Sequence, residues 1–265
     1  MTAPRAQELA ALARRLRSLH VPGRPVVLPN AWDAASARLV VAAGFDAVAT
    51  ASAAVSASLG YPDGEGTPPD EMFAAIARIS RAVSVPVTAD VEGGYGLSAP
   101  DLVARLLDAG AVGCNLEDTA HPGSVLVAAD RQSDRIAAVR DAARSAGVPI
   151  VLNARVDAFE LEIGTIAEQV EEALRRARRY REAGADCVYP IMLTDGPTIV
   201  RFVEPLEGMV NILAEPEPGQ VARFARLGVA RISFGPRVHR RAMRAAAEVL
   251  GMIAAAGADQ GPVAQ

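Results

Sequence analysis

Short apolar runs alternate with longer helical segments along the chain. Each run is rich in Val, Ile or Leu and ends in a polar or glycine-containing turn, after which an Ala-, Leu- and Arg-rich segment begins. The runs are VVLPN, AVATAS, PVTAD, GCNLED, PIVLNAR, DCVYPI, MVNILAE and ARISFG. Strands that alternate with helices form parallel sheets, and eight strands close a β/α barrel. The pattern therefore predicts an α/β fold, a (β/α)8 TIM barrel.

A doubly wound open sheet is the structural alternative. That fold would place a glycine-rich dinucleotide fingerprint after the first strand, but LPNAWDAAS stands there instead. The missing fingerprint favours the barrel. Several strands are preceded by a glycine that we expect to end the previous helix in the left-handed conformation, as in DAGAVGC and EAGADCV.

We predict two further helices at the ends of the chain. Leucines at helical spacing predict an N-terminal helix within about residues 1–20. A long, strongly apolar helix is predicted at about 236–256, followed by a tail at 257–265. We expect a single barrel domain over 1–265. The last helix has more apolar surface than one barrel offers to bury, which indicates an oligomer.

Composition narrows the class of protein. The chain has 265 residues, of which 51% are hydrophobic, and a formal net charge of −4. No basic stripe with interleaved aromatics is present, so we expect no nucleic-acid partner, and the basic cluster LRRARRYREAGA is interpreted as the solvated face of a helix. No leader pattern or apolar stretch of about 18 residues occurs, so we expect a cytoplasmic protein without a membrane partner. Cys114 and Cys187 lie in apolar runs and are expected to be buried, reduced thiols.

Acidic side chains follow several of the predicted strands. In a β/α barrel the active site forms at the carboxyl ends of the strands, so these side chains should converge. They include Asp90, Glu92 and Glu117, each at the tip of an apolar run. Hard oxygen ligands without a His or Cys cluster select Mg²⁺ or Mn²⁺ over zinc. The alternative is that the acids cap the following helices, which accounts for Asp33 and Asp70 but not for the strand tips.

Arg155 is a cation at the same predicted edge. A guanidinium binds a carboxylate in a bidentate manner, so an anionic substrate beside the metal is expected. A structural ion pair with the acid cluster is the alternative role, and the two roles are compatible.

These residues lie in segments that resemble the isocitrate lyase/phosphoenolpyruvate mutase superfamily. The segments follow one another over nearly the whole chain: LPNAWDAASARLVVAAGFDAVATAS, SLGYPD, ADVEGGYG, NLEDT, NARVDAF and LGVARISFGP. The chain is more similar to the uncharacterised or decarboxylase-like members than to isocitrate lyase itself. The resemblance implies a β/α barrel that binds Mg²⁺ and a small 2-oxo acid or its enolate.

The resemblance also implies roles for particular residues. Asp90 would be the direct metal ligand, and three further acids would act mostly through metal-bound waters. Those acids are Asp63, Glu92 and Glu117. Ser52, with the amides of Ala53 and Ala54, would hold the substrate carboxylate, and Arg155 would bind it from the other side. Members typically exchange the last helix within a dimer or tetramer.

The chain departs from the superfamily pattern in the half of the site that selects the bond to break. The stretch EDTAHPGSVLVAADRQSDRI lacks the Lys-Lys/Arg-Cys-Gly-His segment of the isocitrate and methylisocitrate lyases, and also the lysine and Asn-Ser pair of the mutases. Ile191 stands where relatives place a glutamate or histidine. The candidate acid–base groups that remain are His121, Tyr61 and Glu215, with His239 as a weaker one.

The expected activity is that of a Mg²⁺-dependent lyase. It would cleave a C–C bond of a small 2-oxo or 2-hydroxy di- or tricarboxylate, by decarboxylation or a retro-aldol step, through a metal-stabilised enolpyruvate. A carbon–phosphorus enzyme, either a phosphoenolpyruvate mutase or a phosphonopyruvate hydrolase, is one alternative. A non-catalytic metabolite-binding relative is the other.

Overall fold

A computed structural model describes residues 2–258 of the chain. Within this range the chain forms eleven strands and ten helices. The strands are β1 Val26–Leu28, β2 Asn30–Ala31, β3 Val48–Thr50, β4 Val87–Asp90, β5 Gly113–Glu117, β6 Thr119–Ala120, β7 Val125–Leu126, β8 Val151–Val156, β9 Cys187–Pro190, β10 Asn211–Leu213 and β11 Arg231–Ser233. The helices are α1 Ala3–Ser18, α2 Ala34–Ala42, α3 Ser52–Leu59, α4 Pro69–Arg81, α5 Ala99–Asp108, α6 Ala129–Ser145, α7 Ile166–Glu182, α8 Gly196–Val203, α9 Gln220–Arg226 and α10 Arg237–Ala258.

The parallel strands close into a ring. One sheet has the order β2-β3-β4-β5-β8-β9, and a second has the order β1-β11-β10. The first barrel strand belongs to both sheets, because β1 and β2 are separated only by Pro29. A parallel bridge between Val188 and Val210 joins the other two edges. The eight apolar runs are therefore the eight barrel strands, and the predicted (β/α)8 barrel is confirmed.

The side chain of Asn30 connects the two ends of this ring. Its amide nitrogen donates to the carbonyl of Thr50 at 2.7 Å, and its amide oxygen accepts from the backbone N–H of Phe234 at 2.8 Å. Asn30 is buried, so both hydrogen bonds are made away from water. The amide thus links the second barrel strand to the end of the eighth.

Local sequence signals place the helices. Asp33 caps α2 in a capping box with Ser36, as predicted. Asp70 lies in the first turn of α4 but forms no cap, and it pairs with Arg105 instead. Gly110 has φ +82° after α5, the predicted left-handed conformation, and a Cβ there would lie 3.1 Å from the Cβ of Ser80.

The two terminal helices differ in burial. The inward face of α1 is buried against the barrel through residues such as Leu9 and Leu16. From Arg240 to Ala255, α10 is exposed, including the large apolar side chains Met243, Val249, Leu250, Met252 and Ile253. The helix continues to Ala258, two residues beyond its predicted end. The rest of the predicted tail, 259–265, lies outside the described residues.

The basic cluster of α7 is not wholly a solvated face, so that prediction is wrong in part. Arg176 and Tyr180 are buried. The Arg176 guanidinium lies 3.0 Å from a carboxylate oxygen of Asp118, and the Tyr180 hydroxyl donates to the same oxygen at 2.7 Å. A buried acid at the end of β5 supplies the counter-charge that the helical pattern alone does not show.

Cys114 and Cys187 are buried and unbonded, as predicted. Burial raises the pKa of each thiol to about 12, which keeps both protonated and unreactive. None of the helices in 2–258 is long and apolar enough to cross a bilayer.

Candidate active site

A cavity of about 250 Å³ opens at the carboxyl ends of the barrel strands. It is lined by Asn30, Ala51, Ser52, Ala53, Asp63, Asp90, Asn115, Arg155, Glu160, Tyr189, Ile191, Met192, Leu213, Ser233, Gly235, Pro236, Arg237 and Arg240. A larger surface groove between α7 and α8 is lined by charged side chains of both signs and contains no residue from a strand end. The strand-end cavity is therefore the candidate active site.

Asp90 ends β4 at the floor of this cavity. Its Oδ2 accepts from the N–H and the hydroxyl of Ser52 at 3.3 and 3.2 Å. Its Oδ1 is buried and has no hydrogen-bond partner within 2–258. Burial raises the pKa of Asp90, whereas the charge of Arg155 opposes that rise. A buried carboxylate oxygen without a donor is costly, and a cation beside it would remove that cost.

The first turn of α3 lies beside Asp90. Ser52 and Ala53 line the cavity. The N–H of Ala54 donates to the carbonyl of Ala51 at 3.1 Å, and Ala54 is not part of the lining. Of the three residues predicted to hold the substrate carboxylate, Ser52 and Ala53 therefore lie in the cavity lining and Ala54 does not.

Glu92 is held by its own loop. The residue is buried with φ +50°, its Oε1 accepts from the Tyr95 hydroxyl at 2.6 Å, and its Oε2 accepts from the N–H of Glu65. Burial raises the pKa of Glu92 to about 7. Both carboxylate oxygens already have protein donors, so Glu92 is not free to be a direct metal ligand.

The glycine pair after Glu92 serves loop packing. A Cβ on Gly93 would lie 3.0 Å from the Thr119 carbonyl and 3.1 Å from a carboxylate oxygen of Glu65. A side chain at this position would crowd the backbone of Thr119 and the side chain of Glu65, so glycine is favoured where these segments meet. The atoms that approach Gly93 most closely therefore belong to neighbouring segments of the chain.

Glu117 ends β5 between Arg155 and His121. Its Oε2 lies 2.6 Å from Nη1 of Arg155, and its Oε1 lies 2.7 Å from Nε2 of His121. Burial raises the pKa of Glu117 to about 7, although Arg155 opposes the rise. The hydrogen bond with Glu117 raises the pKa of His121.

Arg155 forms a structural ion pair and also lines the cavity. Its Nε donates to Asp157 at 2.6 Å, which with the Glu117 contact makes a structural ion-pair cluster. The same side chain lines the cavity. Burial lowers its pKa but Asp157 and Glu117 more than compensate, so the pKa lies well above the ordinary value and the guanidinium stays charged.

The candidate acid–base residues lie outside the main lining. His121 lines a second cavity of about 260 Å³, together with Glu65, Arg131 and Arg135, and reaches the main one only through Glu117 and Arg155. The Tyr61 hydroxyl donates to Glu71 at 2.6 Å on the exposed surface.

The other two candidates lie near α10. Glu215 pairs with Arg237 at 3.0 Å and is half exposed. His239 packs edge-on against Trp32 with ring centroids 4.9 Å apart. Arg237 itself, with Arg240 and Tyr189, lines the cavity. The sequence analysis did not identify these residues, although Arg237 comes shortly after the eighth barrel strand, which ends at Ser233.

The site offers a divalent cation few direct protein ligands. Among residues 2–258, no three His, Cys, Asp or Glu side chains form a group that could hold a metal ion directly. Asp90 has a free oxygen, Asp63 lines the same cavity, and Glu92 and Glu117 are bound to protein donors. This donor set suits Mg²⁺ or Mn²⁺ that keeps most of its waters.

Comparisons with known proteins agree with this barrel. The model of the phosphoenolpyruvate phosphomutase family matches residues 16–254, so the chain belongs to that family. Its relatives and structural neighbours include lyases of the isocitrate lyase/phosphoenolpyruvate mutase superfamily, as the sequence motifs predicted. The chain is 30% identical over 218 residues to 2-methylisocitrate lyase of Escherichia coli strain K12, covering 74% of this chain and 70% of that protein.

Two solved structures are also similar. A protein of Burkholderia cenocepacia J2315 proposed to be a phosphonomutase superposes with a TM-score of 0.85 at 39% identity, over 90% of this chain and 98% of that one. Oxaloacetate acetylhydrolase in complex with its product oxalate superposes with a TM-score of 0.82 at 25% identity, over 97% and 90%.

Proposed function

We propose that this protein is a Mg²⁺-dependent lyase, with Mn²⁺ as a substitute, that cleaves a C–C bond of a small 2-oxo or 2-hydroxy di- or tricarboxylate. The observation that carries the proposal is the buried, unpartnered Oδ1 of Asp90 in a cavity that also contains Arg155. The names of two relatives, 2-methylisocitrate lyase and oxaloacetate acetylhydrolase, support C–C cleavage of small carboxylates.

Different residues would bind the metal ion and the substrate. Asp90 would hold the ion directly, and Asp63, Glu92 and Glu117 would hold its waters. The ion would supply Lewis-acid stabilisation of the enolate left by bond cleavage. Ser52 and Ala53 would bind the substrate carboxylate on one side and Arg155 on the other, which fixes the orientation of the 2-oxo group.

The proton chemistry is assigned to groups at the edge of the cavity. His121 donates to or accepts from Glu117 through Nε2, and Glu117 contacts Arg155, so a proton held at His121 is coupled to the substrate-binding guanidinium. We place His121 first among the candidates because of this coupling. Tyr61 and Glu215 have exposed partners or positions and come after it.

The proposed assembly is a homodimer or homotetramer. The exposed apolar side chains of α10 need a cover, and exchange of this helix between subunits would supply it. The protein would act on a small anionic acid and needs neither nucleic acid nor membrane.

A carbon–phosphorus reaction is the second candidate. The similarity to the proposed phosphonomutase favours it. The whole chain lacks lysine, so no loop lysine is available, and the arginines of the stretch EDTAHPGSVLVAADRQSDRI are Arg131 and Arg135.

A substrate panel tests the proposal. Release of pyruvate and CO₂ would be followed with oxaloacetate, methylisocitrate, dimethylmalate and citramalate, and release of phosphate with phosphonopyruvate, each with and without Mg²⁺. Metal-dependent cleavage of a carboxylate is expected. Turnover of phosphonopyruvate alone would establish the second candidate. Mg²⁺-dependent stabilisation by oxalate without any turnover would indicate a metabolite-binding protein.

A further inference from the structure

Asn115 lies beside Asp90 in the cavity. The two residues are direct partners across β4 and β5, and both line the cavity. Partner residues on neighbouring strands point to the same face of a sheet, so the Asn115 amide lies next to the Asp90 carboxylate. The proposed reaction leaves this amide without a function.

Two donors hold the amide oxygen of Asn115. Arg231 Nη2 donates to this Oδ1 at 3.0 Å, and Asn153 Nδ2 donates to the same atom at 2.8 Å. A guanidinium can only donate hydrogen bonds, so the end of the Asn115 amide that faces Arg231 must be the oxygen. The nitrogen, Nδ2, therefore points away from Arg231. It has no hydrogen bond within 2–258 and is the accessible end of a largely buried side chain, so its N–H groups are offered to the cavity.

The Asn153 amide alone would not fix this orientation. Its Oδ1 is buried and has no partner in the described part of the chain. If both amides turned over together, Asn115 Nδ2 would donate to Asn153 Oδ1, and the pair would still share one hydrogen bond. Asn115 would then present an oxygen to the cavity. Arg231 cannot accept a hydrogen bond, so it stabilises only the orientation in which Asn115 presents its N–H groups.

Arg231 is costly to the fold. It is fully buried and reaches from β11, the eighth barrel strand, to Asn115 on β5, the fourth and opposite one. Its Nε and Nη1 have no hydrogen-bond partner among residues 2–258. A buried cation with unpaired donors destabilises a protein unless a counter-charge contacts it. Packing alone therefore does not account for Arg231, whereas its effect on the Asn115 amide does.

We infer that Asn115 donates a hydrogen bond from Nδ2 to a substrate oxygen, and that Arg231 is the positioning residue that holds the amide in this orientation. Other residues hold the substrate carboxylate, so the oxygen beside Asp90 is the one at C2. Negative charge develops on that oxygen when the C–C bond breaks, and a preorganised donor stabilises it. The inference rests on the proposed function and adds two residues to its site.

Selective ¹⁵N labelling of asparagine tests the donor. The chain contains four asparagines: Asn30, Asn115, Asn153 and Asn211. Asn115→Asp keeps an acceptor for Arg231 and identifies the Asn115 side-chain signals by their absence. In the parent protein, Mg²⁺ with oxalate, an enolpyruvate mimic, should move the Asn115 amide protons downfield. The Asn211 signals should move less, because Asn211 Nδ2 already donates to the Ser233 hydroxyl.

Calorimetry gives a second measure of the donor. Asn115→Leu has a similar volume but no N–H group. It should bind oxalate about tenfold or more weakly than the parent in the presence of Mg²⁺, because a hydrogen bond to a charged ligand is lost.

Arg231→Met tests the positioning role. Both orientations of the Asn115 amide should become populated in this variant, so its side-chain signals should split or broaden. Oxalate binding should weaken by about twofold or more, because only the fraction of molecules in the donating orientation binds it fully. A residue that only supports the fold would leave the Asn115 signals single.

The free energy of unfolding without metal separates positioning from a structural role. Arg231→Met should be as stable as the parent or more stable, since an apolar side chain replaces a buried cation without a counter-charge. Arg140→Met is the matched control, because Arg140 is also buried but pairs with Asp186 and donates to the Ile150 carbonyl at 2.7 Å, at the amino end of β8. This control should lose stability and keep the oxalate affinity of the parent.

The outcomes separate the inference from the function. Unperturbed Asn115 signals on addition of oxalate, or parent-like affinity in Asn115→Leu, would overturn the donor while leaving the lyase proposal intact. A single Asn115 signal in Arg231→Met, or a loss of stability as large as that of Arg140→Met, would overturn the positioning role. Failure of the parent protein to bind oxalate with either Mg²⁺ or Mn²⁺ would defeat the proposed function and this inference together.

Discussion

Glu117 and Arg155 are direct neighbours across β5 and β8 and form an ion pair with a nitrogen–oxygen distance of 2.6 Å. The pair is largely buried and lies between the loop histidine and the strand-end cavity. The pair therefore links His121 to the Arg155 side chain that lines the cavity. Removing one partner leaves a charge in a poorly solvated place.

Glu117→Gln should lower the free energy of unfolding at pH 8 by about 1–3 kcal/mol, because Arg155 then retains only Asp157 as a contacting acid. Urea denaturation measures the change. Glu171→Gln is the control, since the Glu171–Arg201 pair is exposed and should contribute less than about 0.5 kcal/mol. Equal effects of the two substitutions would contradict the structural role given to the buried pair.

Asp90→Asn should separate stability from metal binding. Because burial raises the pKa of Asp90, the neutral amide should leave the metal-free melting temperature unchanged or higher. The rise in melting temperature produced by Mn²⁺ with oxalate should disappear. Asp46→Asn on the exposed surface should retain that rise. A full response in Asp90→Asn would remove Asp90 from the metal site.

His121→Gln should reduce kcat for the best substrate of the panel by about 100-fold or more, with a small change in KM, if His121 carries the proton. Tyr61→Phe should change kcat by less than about twofold, because its hydroxyl binds Glu71 on the surface. Steady-state kinetics of the two variants gives the comparison. A larger loss in Tyr61→Phe would reverse the order of the candidates.

His20 should make the fold sensitive to acid. Burial, reinforced by the charge of Arg231, lowers the pKa of His20 to about 4 from its ordinary value of 6.5. Between these values the unfolded chain binds the proton and the folded chain does not, so stability is complete above pH 6.5 and falls as the pH drops toward 4. The loss attributable to His20 should reach about 3 kcal/mol at most.

His20→Asn isolates this contribution. The amide nitrogen of asparagine can replace Nδ1 as the donor to the Leu16 carbonyl, a contact of 2.9 Å in the parent protein. The variant should be less stable at pH 7 because volume is lost, but its stability should fall less steeply between pH 6.5 and 4. Parallel pH profiles for the two proteins would show that His20 does not titrate as described.

The exposed apolar face of α10 predicts how assembly can be broken. Leu250→Glu combined with Ile253→Glu should convert the proposed dimer or tetramer to a smaller species in sedimentation velocity, because charges would be buried in the interface. Leu39→Glu on α2 is also an exposed leucine substitution and should leave the assembly unchanged. A parent protein that sediments as a monomer would refute the proposed oligomer.

The barrel could be predicted from the sequence because its signals are local. Each barrel strand has its own apolar run, and the glycine after several helices, such as Gly110, acts on its own turn. The hairpin of β6 and β7 in the remodelled loop could not be predicted, since its two-residue strands are too short to give a pattern. The burial of Arg176 depends on Asp118, which is 58 residues away along the chain.

The sequence predicted which residues lie at the candidate site better than it predicted their hydrogen-bond partners. Strand ends identify Asp90, Glu117 and Arg155, because the fold brings all such ends to one edge. The sequence does not show which carboxylates already accept hydrogen bonds from the protein. In the structure the carboxylate of Glu92 accepts hydrogen bonds from the Tyr95 hydroxyl and the N–H of Glu65. Three-dimensional packing determines this difference.

The Asn30 amide binds a backbone N–H that lies 204 positions later in the chain. During synthesis the ring therefore cannot close until residue 234 has emerged from the ribosome. Until then the nascent chain carries two open sheet edges, and such edges pair with other chains. A newly made molecule is thus most exposed to aggregation just before its last barrel strand arrives.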